Sequence, residues 1–298
     1  MDMGNLADEI QKYKQLDFRK LKNAIIETAQ SIQSTLDTFL VAPTKKKASL
    51  ACHSELQLAS YIIILFKLRY DLSIEGGLVD KGKKANKEIT AFKRYLHRHY
   101  LYDILRGYWA GSGNTKLEAI LDDYHTNPAV CRYFKDVDRV SFEQVVHDWL
   151  TSANQKAKLS NVTADTKLFL NYLLRVSVNP AQISKTEYDI EHCVPQKVLQ
   201  SYFTKRNIAV PVSAPCNLVY IPKSENRSKG DMTYYQKQQA DAGTYTLNPE
   251  ALDELAYPLP KELEFVNSDA TITEQNYRAF LEEREKFLVN RFITNLYK

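Results

Sequence analysis

No two cysteines in this chain are spaced as CxxC. The four lie at 52, 131, 193 and 216; that spacing argues against a zinc ribbon and suits reduced thiols in a cytosol. No glycine turn ends in Gly-Lys-Ser/Thr, and the glycine turn at 109–114 also lacks this phosphate-loop pattern, so no nucleotide fingerprint is present. The longest apolar run, 61–66, is far too short to cross a bilayer. No signal-peptide pattern opens the sequence, and no internal repeat is visible. These absences predict a cytoplasmic protein with no membrane contact.

The 298 residues can bury one large core or two small ones. A pI of about 8.6 and a formal charge of +4 permit nucleic-acid binding without demanding it. Apolar residues recur at helical spacing over 5–39, 50–70, 89–108, 117–124, 142–150, 166–175, 232–239 and 272–297. Pro43 and the run Lys45, Lys46, Lys47 mark a break, most simply a solvated loop. Gly76, Gly77 and the 81–84 stretch predict a flexible basic loop. The 89–108 helix interleaves Phe92, Tyr95, Tyr100, Tyr102 and Tyr108 with Arg94, Arg98 and Arg106. Such interleaving can line a nucleic-acid channel; the commoner arrangement puts the aromatics in the core and the bases on the wet face. His97 and His99 are not at i, i+4, so they make a poor helical metal pair. Asp136, Asp138, His147 and Asp148 match no ligand spacing.

Chemistry concentrates between 188 and 235. The segment Tyr188-Asp189-Ile190-Glu191-His192-Cys193-Val194-Pro195-Gln196 reads as extended. A polar loop with Pro211 and Pro215 follows. Asn217 then opens a second apolar strand, Leu218-Val219-Tyr220-Ile221, which ends at Pro222 because proline cannot donate to a ladder. Ser224 is a candidate N-cap, Asn226 falls in the first helical turn, and Lys229 lies at i+3 from it. Phosphodiester hydrolysis needs an activated water and a cation for the charge that develops on phosphorus. A histidine with a near-neutral pKa can deprotonate water. One carboxylate and one amide oxygen suit Mg²⁺, which keeps several waters of its own. Side chains alternate along a strand, so Glu191 and His192 need a bulge or a strand end to serve one site.

The stretch resembles the HNH (His-Me finger, ββα-metal) nuclease domain, in the version found in RNA-guided CRISPR effector nucleases. It is still more similar to the C-terminal half of GmrSD-type modification-dependent restriction enzymes, whose motif reads Glu-His-x-x-Pro-Gln, then Asn-Leu, then Asn. The resemblance implies His192 as general base, Glu191 and Asn226 as metal ligands for Mg²⁺ or Mn²⁺, and Asn217 as the brace that orients the histidine. Lys223, Arg227 and Lys229 supply positive charge toward a phosphate at the helix start. Cys216 stands where the restriction family often has glycine, and the insertion between Gln196 and Asn217 is long. The similarity is specific over about fifty residues and looser from residue 89 onward.

The expected fold is mainly α with a small embedded ββα-metal (HNH) nuclease module, divided into a helical domain at 1–165 and a nuclease domain with flanking helices at 166–298. The expected function is metal-dependent cutting of DNA, by nicking or double-strand cleavage, in bacterial restriction or anti-phage defence. An NTP-binding or modification-sensing partner is implied by the restriction family, because no such domain is evident in this chain. An RNase or toxin using the same site, and a degenerate nucleic-acid-binding module, are the alternatives.

Overall fold

Helices dominate, as the apolar spacing requires, and the strands form two small antiparallel pairs. The computed structural model describes residues 17–40, 54–73, 77–156, 162–183, 185–240, 247–267 and 272–298. The run Lys45, Lys46, Lys47 and Cys52 lie outside the described residues, as does Gly76. By Cα proximity the described residues divide into two units, one of 17–38 and 54–137, the other of 39–40 and 138–298. The expected boundary at 165 therefore falls inside the second unit, for a reason given by the helix at 139–156.

The first unit takes α1 (Phe18–Leu40) as far as Thr38, and this part buries Ala24, Thr28, Ile32 and Leu36, a strict i, i+4 stripe. Ile25 and Ile26, apolar residues of the same helix, are exposed. The strongly apolar α2 (Glu55–Arg69) starts at Ser54, whose hydroxyl accepts the Gln57 N–H at 3.2 Å. It runs straight into β1 (Tyr70–Ser73), which pairs with β2 (Gly77–Asp80) in the register Tyr70 to Asp80. The expected loop at 76–84 is thus largely this hairpin arm and a 3₁₀ turn (Gly82–Ala85). Asp80 accepts the Gly82 N–H at 2.8 Å and sets that turn.

The single helix expected over 89–108 is two, α3 (Asn86–Arg94) and α4 (Leu96–Leu105), broken at Tyr95. Next comes α5 (Gly113–Thr126). The core is aromatic: Tyr61 meets Tyr133 edge-on at 4.8 Å, and Phe92 meets Phe134 at 5.7 Å. Asp103 is wholly buried and accepts from Arg132 at 2.6 Å and from the Trp109 indole at 3.3 Å. His97 and His99 are also buried, and burial holds both imidazoles down at about 4. Arg106 lies over the rings of Tyr102 and Tyr108 at 4.6 and 4.3 Å, so these cations pack on the unit's own aromatics.

The second unit contains α6 (Arg139–Lys156), α7 (Ala164–Ser177), the single turn α8 (Pro180–Ile183), β3 (Tyr188–His192), α9 (Gln196–Thr204), β4 (Leu218–Pro222) and α10 (Lys223–Lys229). After these come α11 (Tyr234–Ala240), α12 (Pro249–Glu254), α13 (Glu264–Asn267) and α14 (Glu274–Leu296). The long α14 is the spine. α6 packs along it, placing Phe142 5.9 Å from Phe292, which is why α6 belongs to this unit. Phe292 also stacks on Phe169 at 5.0 Å and touches Tyr172 at 4.7 Å, so α7 joins the same core. A two-stranded pair is marginal alone and needs helices against it. β4 has α7 on one side, where Tyr220 donates to the Asn171 side chain at 2.7 Å. α10 packs against both strands.

Candidate active site

The site residues expected from sequence fall on three consecutive pieces of this frame. β3 and β4 pair antiparallel, with Glu191 opposite Val219 and His192 opposite Leu218. β4 passes into α10 without a loop: Pro222 ends the strand and caps the helix, so Ser224 is not the N-cap and Asn226 is the fourth helical residue. The segment between Gln196 and Asn217 is not a simple loop, since it begins with α9. α9 buries Leu199 and Phe203, an apolar spacing outweighed in the sequence by its polar neighbours.

Asn217 is fully buried and uses its whole amide. Its oxygen accepts the Val194 N–H at 2.8 Å, and its nitrogen donates to the Val194 carbonyl at 3.2 Å and to the Val212 carbonyl at 2.9 Å. The Cys193 N–H donates to the Asn217 carbonyl at 2.8 Å. One side chain therefore fastens the segment after His192 to the segment at 212–214. That second segment carries Ser213, whose hydroxyl lies 3.4 Å from His192 Nε2. Ser213 was not anticipated from the sequence, because a serine among loop residues carries no signal until the loop is closed on the histidine.

His192 is the last residue of β3 and half-buried. Burial, and then the positive charge of Lys229, hold its imidazole down at about 4. The expected near-neutral pKa is not met: at neutral pH the ring is uncharged and its lone pair can accept a proton, but it is a weaker base than a free imidazole. Glu191 is mostly buried, and burial holds its carboxyl above the usual carboxylate range while Lys229 opposes that shift. Glu191 and His192 are neighbours on a strand, yet both lie close enough to the Lys229 ammonium to feel it.

Lys229 corrects one expectation. It was expected to face a phosphate, but its side chain is completely buried, ion-paired to Glu191 and donating to the Met232 carbonyl at 2.7 Å. The physical reason lies in the helix: α10 lays its last turn on β3, and Lys229 faces inward there, where an ammonium must find a carboxylate. Lys223 is half-exposed and ion-paired with Glu187 at 2.9 Å, and Arg227 is exposed. Asn226 is half-buried, on the helix face shared with Lys229 one turn away.

Among the described residues, no group of three or more His, Cys, Asp or Glu is gathered as a metal cage. The two expected oxygen donors lie on packed elements, Glu191 on β3 and Asn226 on α10, and the Glu191 carboxylate is occupied by the Lys229 ammonium. Cys193 and Cys216 are buried, with burial pushing their thiols up to about 11 and about 12, so neither offers a thiolate.

Comparison with known proteins gives no support from relatives: no family model, no curated protein and no solved structure matches this chain. Among the described residues no helix is long and apolar enough to cross a membrane.

Proposed function

We propose that the chain is a metal-dependent DNA endonuclease in which strand β3, strand β4 and helix α10 serve as an HNH-type ββα-metal module. The observation that carries this reading is a half-buried His192 at a strand end beside Glu191, with Asn217 locking the loop behind it. Glu191 and Asn226 would hold Mg²⁺ or Mn²⁺, which supplies charge neutralisation at the scissile phosphate. His192 takes the proton of the attacking water, and the Ser213 hydroxyl near Nε2 holds the ring's orientation. Arg227 and Lys223 lie at the accessible side of α10, where they can contact phosphate oxygens and position the backbone without reading sequence. A role in restriction or anti-phage defence, with a separate NTP-dependent sensor, follows from the resemblance to modification-dependent enzymes alone.

One observation favours a second reading. The Glu191 carboxylate already has a cation on it, the Lys229 ammonium, as expected of a module that binds nucleic acid without cutting it. Plasmid nicking with Mg²⁺, Mn²⁺ and EDTA arms separates the two. Metal-dependent cutting, lost with EDTA and needing no NTP, supports the nuclease. Binding with no cutting in any arm supports the second reading, and cutting of RNA only would move the substrate class.

A further inference from the structure

The first unit contains a polar recess of about 380 Å³ between α1, the end of α2, the turn after β2 and the length of α3. Three cations line it, Arg69, Lys83 and Lys93, against one carboxylate, Asp80. Arg69 is already served, by Glu27 at 3.3 Å and by Asp80 at 3.4 Å. Lys93 is held differently. Its ammonium donates to the Ser31 hydroxyl, a neutral group, at 2.6 Å. Burial, and then the charge of Arg69, hold it below its usual range, so two like charges face one recess.

Arg69 is balanced by its two carboxylates, so the charge that an anion would relieve is that of Lys93, partly desolvated and held by a neutral hydroxyl. Leu65 and Ile89 add apolar wall beside this charge. The volume lies within the range of small-molecule sites, roughly 300–1,000 Å³. Asn86 and the Ser31 hydroxyl provide neutral hydrogen-bonding groups at the same wall.

We propose that this recess binds a small phosphomonoester, its phosphate between Lys93, Arg69 and Ser31 and its carbon skeleton against Leu65 and Ile89. Lys83 stands at the exposed rim and adds long-range attraction. The proposal is independent of the nuclease reading, because every residue it uses belongs to the first unit.

The test is calorimetric titration of the full chain with inorganic phosphate, adenosine 5′-monophosphate and adenosine. Saturable binding of the monophosphate and weaker binding of phosphate are expected, with none for adenosine. Lys93→Gln should weaken the monophosphate at least about tenfold, the loss expected for one charge-assisted bond. Lys83→Gln should weaken it about threefold through charge alone, which keeps the test alive if Lys93→Gln does not fold. Lys87→Gln, an exposed lysine of α3 outside the recess, is the control and should change nothing. The proposal is overturned if neither phosphate species saturates, if adenosine binds as well as its monophosphate, or if Lys87→Gln weakens binding as much as the recess variants.

Discussion

Replacing Lys229 by methionine tests the centre of the site most sharply. The substitution keeps length and removes charge from a fully buried ammonium, leaving Glu191 mostly buried with no cation. Two unit charges about 4 Å apart attract by ~4 kcal/mol at an effective dielectric of about 20, part of which is cancelled by desolvation. Breaking such a pair from one side destabilises by about 3–5 kcal/mol, whereas removing both charges is often near neutral. Lys229→Met should therefore lower the stability of the second unit by about 3 kcal/mol or more, and Glu191→Gln combined with it should restore most of the loss. The deficit depends on pH with a definite sign. Burial raises the Glu191 carboxyl in the folded state, and without Lys229 it rises further. A raised folded-state pKa means that stability falls as pH rises through it, so the deficit is larger at about pH 8 than at about pH 5. Urea unfolding followed by Trp149 fluorescence in a Trp109→Phe background reads the second unit. If Glu191 is a metal ligand, Lys229→Met should also tighten Mn²⁺ binding at least about tenfold, because a positive neighbour has been removed. A coupling between the two positions below about 0.5 kcal/mol would refute the buried pair. Unchanged Mn²⁺ affinity would remove Glu191 from the ligand set.

Asn217→Ala leaves three buried backbone groups without partners. At about 1–3 kcal/mol each it should cost several kcal/mol of stability. Where still folded, the variant should cut slowly while binding metal normally, and full activity would show that the loop needs no brace. His97 and His99 are held neutral down to about 4, below their unfolded value, so the stability of the first unit should fall as pH drops from about 6.5 toward 4, by on the order of 3 kcal/mol each. Ring signals from these two histidines that titrate near 6.5 would contradict their burial. Arg227→Gln and Lys223→Gln should weaken DNA binding evenly across sequences and shallow its salt dependence by about one unit of slope each at most; an effect confined to one sequence would assign them to base reading.

The strand–strand–helix order around His192 was legible because its signals are local: alternation, a proline that stops a ladder, a polar run that opens a helix. The inward turn of Lys229 was not, since a lysine at a helix end looks the same whether it faces water or a buried carboxylate. Only the packing of α10 on β3 decides it. Ser213 was invisible for the same reason, because it meets His192 through a closure made by Asn217. In the first unit the aromatic and basic run at 92–108 read as a core face and a wet face; Phe92 and Tyr100 do enter the core, while Tyr95, Tyr102 and Tyr108 stay half-exposed beneath arginines. The two histidines join the core, a burial that propensity cannot foresee. The hairpin at 70–80 was missed because its arms are only four residues each and a glycine pair dominates the reading.

The central claim is that His192 is the base of a metal-dependent nuclease, and a plasmid-nicking time course with wild type and His192→Ala, in Mg²⁺ and with EDTA, tests it most directly. The account predicts cutting by the wild type in Mg²⁺ and none with EDTA. His192→Ala should be slower by at least about 100-fold, with DNA affinity unchanged. Cutting by His192→Ala at the wild-type rate would contradict it.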